Sequence, residues 1–168
     1  MKKNVDSYRF IGGVTARMVK KWIKMESPRP IPWTPLEKPL SECKIALLTS
    51  AGIALKNDRP FDQEGERQDP WWGDPSYRII PPGTSAQDIR AYHLHIDPAY
   101  AESDLNCVLP LDRLLELEEA GEIGSVAKGH YSTMGYILQP EVLLGQTVPA
   151  IVAEMQAEAV DVLLLAPA

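Results

Sequence analysis

Two apolar runs constrain the fold of this 168-residue chain more than anything else in it: CKIALLTS at Cys43–Ser50 and the terminal VDVLLLAPA. The first has the length of a strand and is followed by a tight turn at Ala51-Gly52. The second is apolar at nearly every position, which demands cover on both faces and reads as a strand inside a parallel sheet. Between them the period changes. LDRLLELEEAGE places Leu111, Leu114, Leu115 and Leu117 at helical spacing, with Pro110 suited to the first turn and Gly121 to the stop, so a helix is expected over Leu111–Ala120. VPAIVAEMQAEA repeats the pattern with Val148, Ile151, Val152 and Met155 behind a Thr147 cap, giving Val148–Ala159. YRIIPP, Ala91–Ile96 and Ile123–His130 have strand character, and TSAQDIRA reads as one helical turn capped by Thr84 or Ser85. Strands alternating with helices point to an α/β fold, an open parallel doubly wound sheet of Rossmann-like kind. That sheet would be incomplete at its C-terminus, since a buried-type strand ends at Ala168 without a helix to cover it. VLLLAP is therefore expected to present an apolar surface.

Three sections are expected: a basic helical extension over residues 1–26, a proline-rich linker over 27–41, and the α/β domain over 42–168. Residues 1–24 hold seven Lys or Arg against one acid, a net of +6, so a formal net charge of −6 leaves −12 on the remainder. Helical spacing over residues 5–25 puts Tyr8, Ile11, Thr15, Met18, Val19 and Trp22 on one face, with Lys20, Lys21 and Lys24 mainly opposite. Ser27–Pro39 has five prolines in thirteen residues and should run extended, with Trp33 anchoring it. The acidic total argues against nucleic acid as a partner. No run approaches the length of a membrane span or has the form of a secretory signal. Cys43 and Cys107 lie far apart, which fits the reducing cytoplasm. The polar segment Asn57–Ser76 is long for a loop, and loops of that kind are often functional; its Trp71-Trp72 pair is suited to covering a site or to packing the loop down.

AYHLHIDPAYAESDLNCVLPLDR, Ala91–Arg113, concentrates the chemistry. Alternation sends Tyr92, Leu94 and Ile96 to one face and His93 and His95 to the other. His93, His95 and His130 are the candidate acid–base residues, expected to share one pocket with Asp104 or Asn106 at the carboxyl edge of the sheet. HxH also has transition-metal geometry, but three histidines without a Cys or Glu ligand make a poor metal set, and no metal is assigned. Asp104, Asn106, Asp112 and Arg113 divide between capping the helix behind Pro110 and contacting a substrate.

WTPLEKPL, KIALLTSAGIAL, YRIIPPGTS, HLHID, DLNCVLPLDRL, GHYSTMGYI and VDVLLLAPA occur in an order that resembles the selenoprotein B subunits of the glycine/sarcosine/betaine/D-proline reductases, most of all the D-proline branch. The resemblance covers roughly residues 31–168, and DLNCVLPLDRL is its most specific block. It implies reductive cleavage of a C–N bond, with D-proline opening to 5-aminopentanoate, or with glycine, sarcosine or betaine as the alternative. It implies a selenocysteine or cysteine beyond Ala168, a pyruvoyl group on a partner subunit, and no cofactor held by this chain. Its partners would be other reductase subunits, a small amino-acid substrate and a dithiol or thioredoxin-like donor. Asp97, Asp104, Asn106, Asp112, Arg113 and Tyr131 become the candidate substrate-binding residues, with Arg113 suited to a carboxylate. Without the redox residue the 168-residue chain alone is expected to be inactive. The alternative from another class is a non-catalytic binding or scaffold domain.

Overall fold

The computed structural model describes residues 12–25, 30, 34–69 and 71–168. They fall into two units, residues 1–36 and residues 37–168. In the first, helix α1 spans Gly13–Met25. Its sequence sets Val14, Met18, Trp22 and Met25 along one face and Arg17, Lys20 and Lys24 along another. The helix expected from residue 5 is described only from Gly13; Tyr8, Ile11 and Trp33 lie outside the described residues.

The second unit is α/β. Strand β1, Lys44–Thr49, is its centre. It pairs in parallel with β7, Val162–Ala166, over Ile45–Thr49. It also pairs in parallel with β5, Ser125–Val126, through Lys44 and Ile45, and with β6, His130–Thr133, through Leu48 and Thr49. A strand has two edges. Because β7 occupies one of them, β5 and β6 follow each other along the second. Strand β3, Tyr77–Ile80, closes that side antiparallel to β6. The main sheet is therefore mixed and mostly parallel.

The continuous apolarity of β1 follows from cover on both faces. Ile45 and Leu47 enter a core with Cys43, Ile53, Ile80, Leu105, Leu109, Leu111 and Leu114. Ala46 faces the other way with Ala127, Tyr131 and Ile151, and Leu48 and Leu163 pack against that cluster. Helix α4, Leu111–Glu119, and helix α5, Val148–Ala157, thus sandwich the sheet. Each buried Leu or Ile stabilises the fold by about 1.5–3 kcal/mol through removal from water. Helix α4 stops as expected. Gly121 adopts φ +70°, its N–H donating to the Glu118 carbonyl while Glu122 N–H donates to that of Leu117.

Two local expectations are corrected. Ala91–Ile96 is not a strand of the parallel sheet. Strand β4 covers only Ile89–Ala91 and pairs antiparallel with β2, Ile53–Leu55, in a separate two-stranded sheet. The ladder ends where Tyr92 N–H reaches the Gly52 carbonyl, and the His93 ring then captures the His95 N–H. A side chain has replaced the strand partner. Beyond that turn, Asp97 caps α3, Pro98–Ser103. Second, Ile123–His130 is not one strand: it holds the two-residue β5 and, after a break, only the first residue of β6. The apolar surface expected of VLLLAP is present: Leu164 and Leu165 are 47% and 61% exposed, with β7 bordering β1 on one side only among the described residues. The turn at Ala86–Asp88 is as expected: Ser85 and Asp88 form a reciprocal capping box.

Candidate functional site

Parallel strands that end together leave their last residues at one edge, where neighbouring loops can meet. Here β1 runs on into Ser50, β6 into Met134-Gly135-Tyr136, and β7 to Ala168. Ser50 Oγ accepts from Ala168 N–H at 3.0 Å, tying two of these ends together. Against this edge lies the His93–His95 turn.

Close approach is built into the backbone on both sides of His93. A Cβ on Gly135 would overlap His93 Nε2 and sit 3.0 Å from the Ser50 carbonyl oxygen. A Cβ on Gly52, at φ +60°, would overlap Met134 Sδ and come 3.2 Å from His93 N. His93 is consequently buried, with its Nδ1 accepting from His95 N–H at 3.1 Å. Burial, with His95 adding to it, holds the His93 imidazole below its ordinary pKa and so neutral. The His95 ring stands 5.7 Å from that of His93 and 4.6 Å from that of Tyr136. Tyr136 has φ +57°, a left-handed conformation that a tyrosine adopts only where its surroundings impose it.

From the opposite side comes α2, Gln63–Gln68, within the long polar segment. Gln63 Nε2 donates to the Tyr92 carbonyl at 2.6 Å, and Glu66 Oε1 lies 3.4 Å from His95 Nε2. Burial raises the Glu66 carboxyl above its ordinary pKa, against the pull of His95. Trp72 packs on Gly65 of the same helix, where a Cβ would meet its ring at 2.6 Å, so this tryptophan holds the segment down. Glu66 and Tyr136 escaped the sequence reading. A lone Glu in an acidic loop carries no signal of burial, and Tyr136 was legible only as part of GHYSTMGYI.

His130 does not join this cluster, so the shared three-histidine pocket is corrected. It opens β6, whereas His93 contacts Gly135, five residues on, a separation on the order of 15 Å along a strand. Between β5 and β6 the chain detours through Lys128-Gly129, and Leu47 N–H is satisfied by His130 Nδ1 at 3.0 Å instead of by backbone. The ring is fully buried, and its Nε2 has no partner among the described residues. Burial drives its pKa down to about 4, against Glu158 and the Ala127 backbone. Tyr131 is buried in the core on the α5 face and packs against Tyr77.

The DLNCVLPLDRL block forms a compact polar knot. Asp104 accepts from Asn106 N–H at 3.0 Å, Asn106 Nδ2 donates to Asp112 Oδ2 at 2.8 Å, and Asn106 Oδ1 accepts from Asp112 N–H at 3.0 Å. These bonds lock the loop onto the first turn of α4, as the capping reading expected. Neither Asp104 nor Asn106 is bonded to a histidine. Arg113 is exposed and pairs with Glu116 at 2.8 Å, and Asp97 Oδ1 accepts from Ala99 N–H at 3.0 Å. Cys107 is exposed, Cys43 is buried, and both are free. Among the described residues no three His, Cys, Asp or Glu converge as metal ligands, and no helix is long and apolar enough to cross a membrane.

Compared with known families, residues 15–167 match the model of the glycine/sarcosine/betaine reductase selenoprotein B family. The chain belongs to that family.

The match begins inside α1, so the family domain takes in more of the N-terminal section than the motifs indicated. The D-proline reductase subunit gamma of Acetoanaerobium sticklandii is 32% identical over 139 residues, 83% of this chain and 54% of that protein. The glycine reductase complex component B subunit gamma of Carboxydothermus hydrogenoformans is 34% identical over 80% of this chain and 30% of its own length. The sarcosine reductase complex component B subunit beta of Peptoclostridium acidaminophilum is 32% identical over 77% and 30%. The chain thus spans about half the length of the first relative and less than a third of the others. No solved structure shows significant similarity to it.

Proposed function

We propose that this chain forms the histidine-bearing section of an amino-acid reductase subunit that cleaves a C–N bond, with D-proline opening to 5-aminopentanoate. The observation that supports this best is the convergence at one sheet edge. Ser50, Gly135, His93 and His95 meet beside the end of β7, the strand that in the resembling subunits leads to the selenocysteine or cysteine. A selenolate or thiolate carried past Ala168 would attack carbon beside this cluster. The nitrogen that departs needs a proton, and imidazole supplies one near neutral pH. His95 is assigned to pass that proton, with the neutral His93 ring hydrogen-bonding the bound group beside it. The sharing of sequence with a D-proline reductase subunit over more than half of that protein favours D-proline over glycine, sarcosine or betaine. The carbonyl chemistry would come from a pyruvoyl group on another subunit, and the electrons from a dithiol or thioredoxin-like protein in the cytoplasm.

The test is dithiothreitol-dependent formation of 5-aminopentanoate from D-proline in the presence of the partner subunit. Three forms are compared: the 168-residue chain, a chain extended past Ala168, and the extended chain with its first chalcogen residue changed to alanine. Only the second should turn over. Turnover by the 168-residue chain would refute the need for an added nucleophile. Release of an acetyl product from glycine, sarcosine or betaine would move the assignment to the other branch. Inactivity of every form with every substrate would leave a binding or scaffold domain.

A further inference from the structure

Glu66 is 4% exposed, and its Oε2 is buried without a hydrogen-bond partner among the described residues. A carboxyl left half-satisfied in the interior costs free energy, so its presence calls for a reason. Helix α2 offers none, because Asp62 caps it and Gln63 anchors it to the Tyr92 carbonyl. What Glu66 does touch is His95 Nε2.

We propose that Glu66 is a positioning residue: by accepting the Nε2 hydrogen of His95, it leaves His95 Nδ1 as the free acceptor and makes His95 the opposite of His93. His93 is set by its own contact. Its Nδ1 accepts from His95 N–H and carries no hydrogen, so the neutral ring bears its hydrogen on Nε2, beside Gly135. One imidazole then enters the site as a donor and the other as an acceptor, with their rings at 76°. Such a pair can hydrogen-bond one side of a bound group through the His93 Nε2–H and take up a proton on the other side at His95 Nδ1, to be returned to the departing nitrogen. The charged and titratable groups around the contact are Arg67, which faces Glu66, and His93 and Tyr136, which face His95. The assignment deepens the reductase reading, in which nitrogen must gain a proton as it leaves carbon.

The experiment is 15N-resolved NMR of the histidine rings in the 168-residue chain, for wild type, Glu66→Gln and Glu66→Met. Gln retains an acceptor oxygen, whereas Met fills similar volume and offers none. In Glu66→Met the His95 Nδ1 and Nε2 signals should move towards each other as both tautomers populate; in Glu66→Gln the wild-type pattern should be restored. His93 should hold its pattern in both variants. Thermal melting of Glu66→Met should match wild type or rise by about 2–4 °C, because a half-satisfied buried carboxyl has been removed. His95 signals unchanged in Glu66→Met would overturn the proposal. So would loss of folding in that variant, which would make Glu66 a structural residue. None of these readouts uses turnover, so an inactive reductase complex counts against the reductase reading alone.

Discussion

At the scale of single residues, the site is defined by what its glycines leave out. Gly135 has no side chain because the His93 ring occupies the space where one would stand. Replacing it with alanine must push the ring or the Ser50 strand end aside, at about 1–3 kcal/mol by the usual cost of overpacking. Gly135→Ala is therefore expected to lower the melting temperature and to shift the His93 ring resonances while leaving those of His130 in place. Equal shifts at both histidines would show a general loosening instead. His130 makes a separate prediction about pH. Its folded-state pKa lies near 4, below the ordinary 6.5, so it is neutral in both states at high pH. As pH falls below 6.5 the unfolded chain binds a proton that the folded chain refuses, and stability drops until about pH 4, by about 3 kcal/mol in all. Glu66 works in the opposite sense at the acid end, because its raised pKa favours the folded state as pH falls. The measurement is therefore a difference: denaturant unfolding of wild type and His130→Gln from pH 7 to 4.5, with the variant expected to show the shallower decline. Parallel slopes would contradict the buried neutral ring.

Among the elements, β1 and the start of α4 carry the most consequence. Leu47 is fully buried in the face of β1 that packs on α4. Leu47→Ala should cost about 2–5 kcal/mol, seen as a fall in denaturation midpoint with little change in slope. The knot at Asp104, Asn106 and Asp112 poses a sharper question, since those residues were candidates both for capping and for substrate. Asn106→Ala removes the bonds that join the loop to α4 and should destabilise by about 1 kcal/mol. A purely structural knot predicts a lower melting temperature with an unchanged KM for D-proline in the extended complex. A KM rise at unchanged stability would return Asn106 to the substrate. DLNCVLPLDRL was readable as a cap because Asx residues before a proline-led apolar period have a local meaning. The His93–His95 turn was not readable in the same way. AYHLHI alternates like a strand, and only the competing ring-to-backbone bond decides against one.

For the molecule as a whole, the outcome depends on β7. It completes the parallel pairing of β1 yet leaves Leu164 and Leu165 exposed on a strand whose other edge is open among the described residues. Open apolar edges invite pairing with other chains. The 168-residue chain by itself is expected to self-associate in a concentration-dependent way, and Leu165→Lys to reduce this in sedimentation velocity without loss of helix signal. A wild-type chain that stays monomeric across the accessible concentrations would show that the edge is already protected.

What the sequence determined by itself was whatever depends on nearest neighbours and on period. The apolar run of β1, the amphipathic spacing of α4, the Gly121 stop and the Ser85 capping box all rest on interactions within a few residues, and each stands where the pattern put it. The family, too, was legible, through blocks kept in order along the chain. Only the tertiary structure decided which histidines meet. His93 and His130 look alike in sequence, but one meets a glycine beyond the end of β6 while the other fills a gap in the ladder at its start. The same holds for Glu66, which nothing in its own stretch of sequence marks as buried until α2 folds over the His93–His95 turn. Period reports which face a residue takes; it carries no information about how far along a neighbouring strand that residue will come to rest, and catalysis depends on that distance.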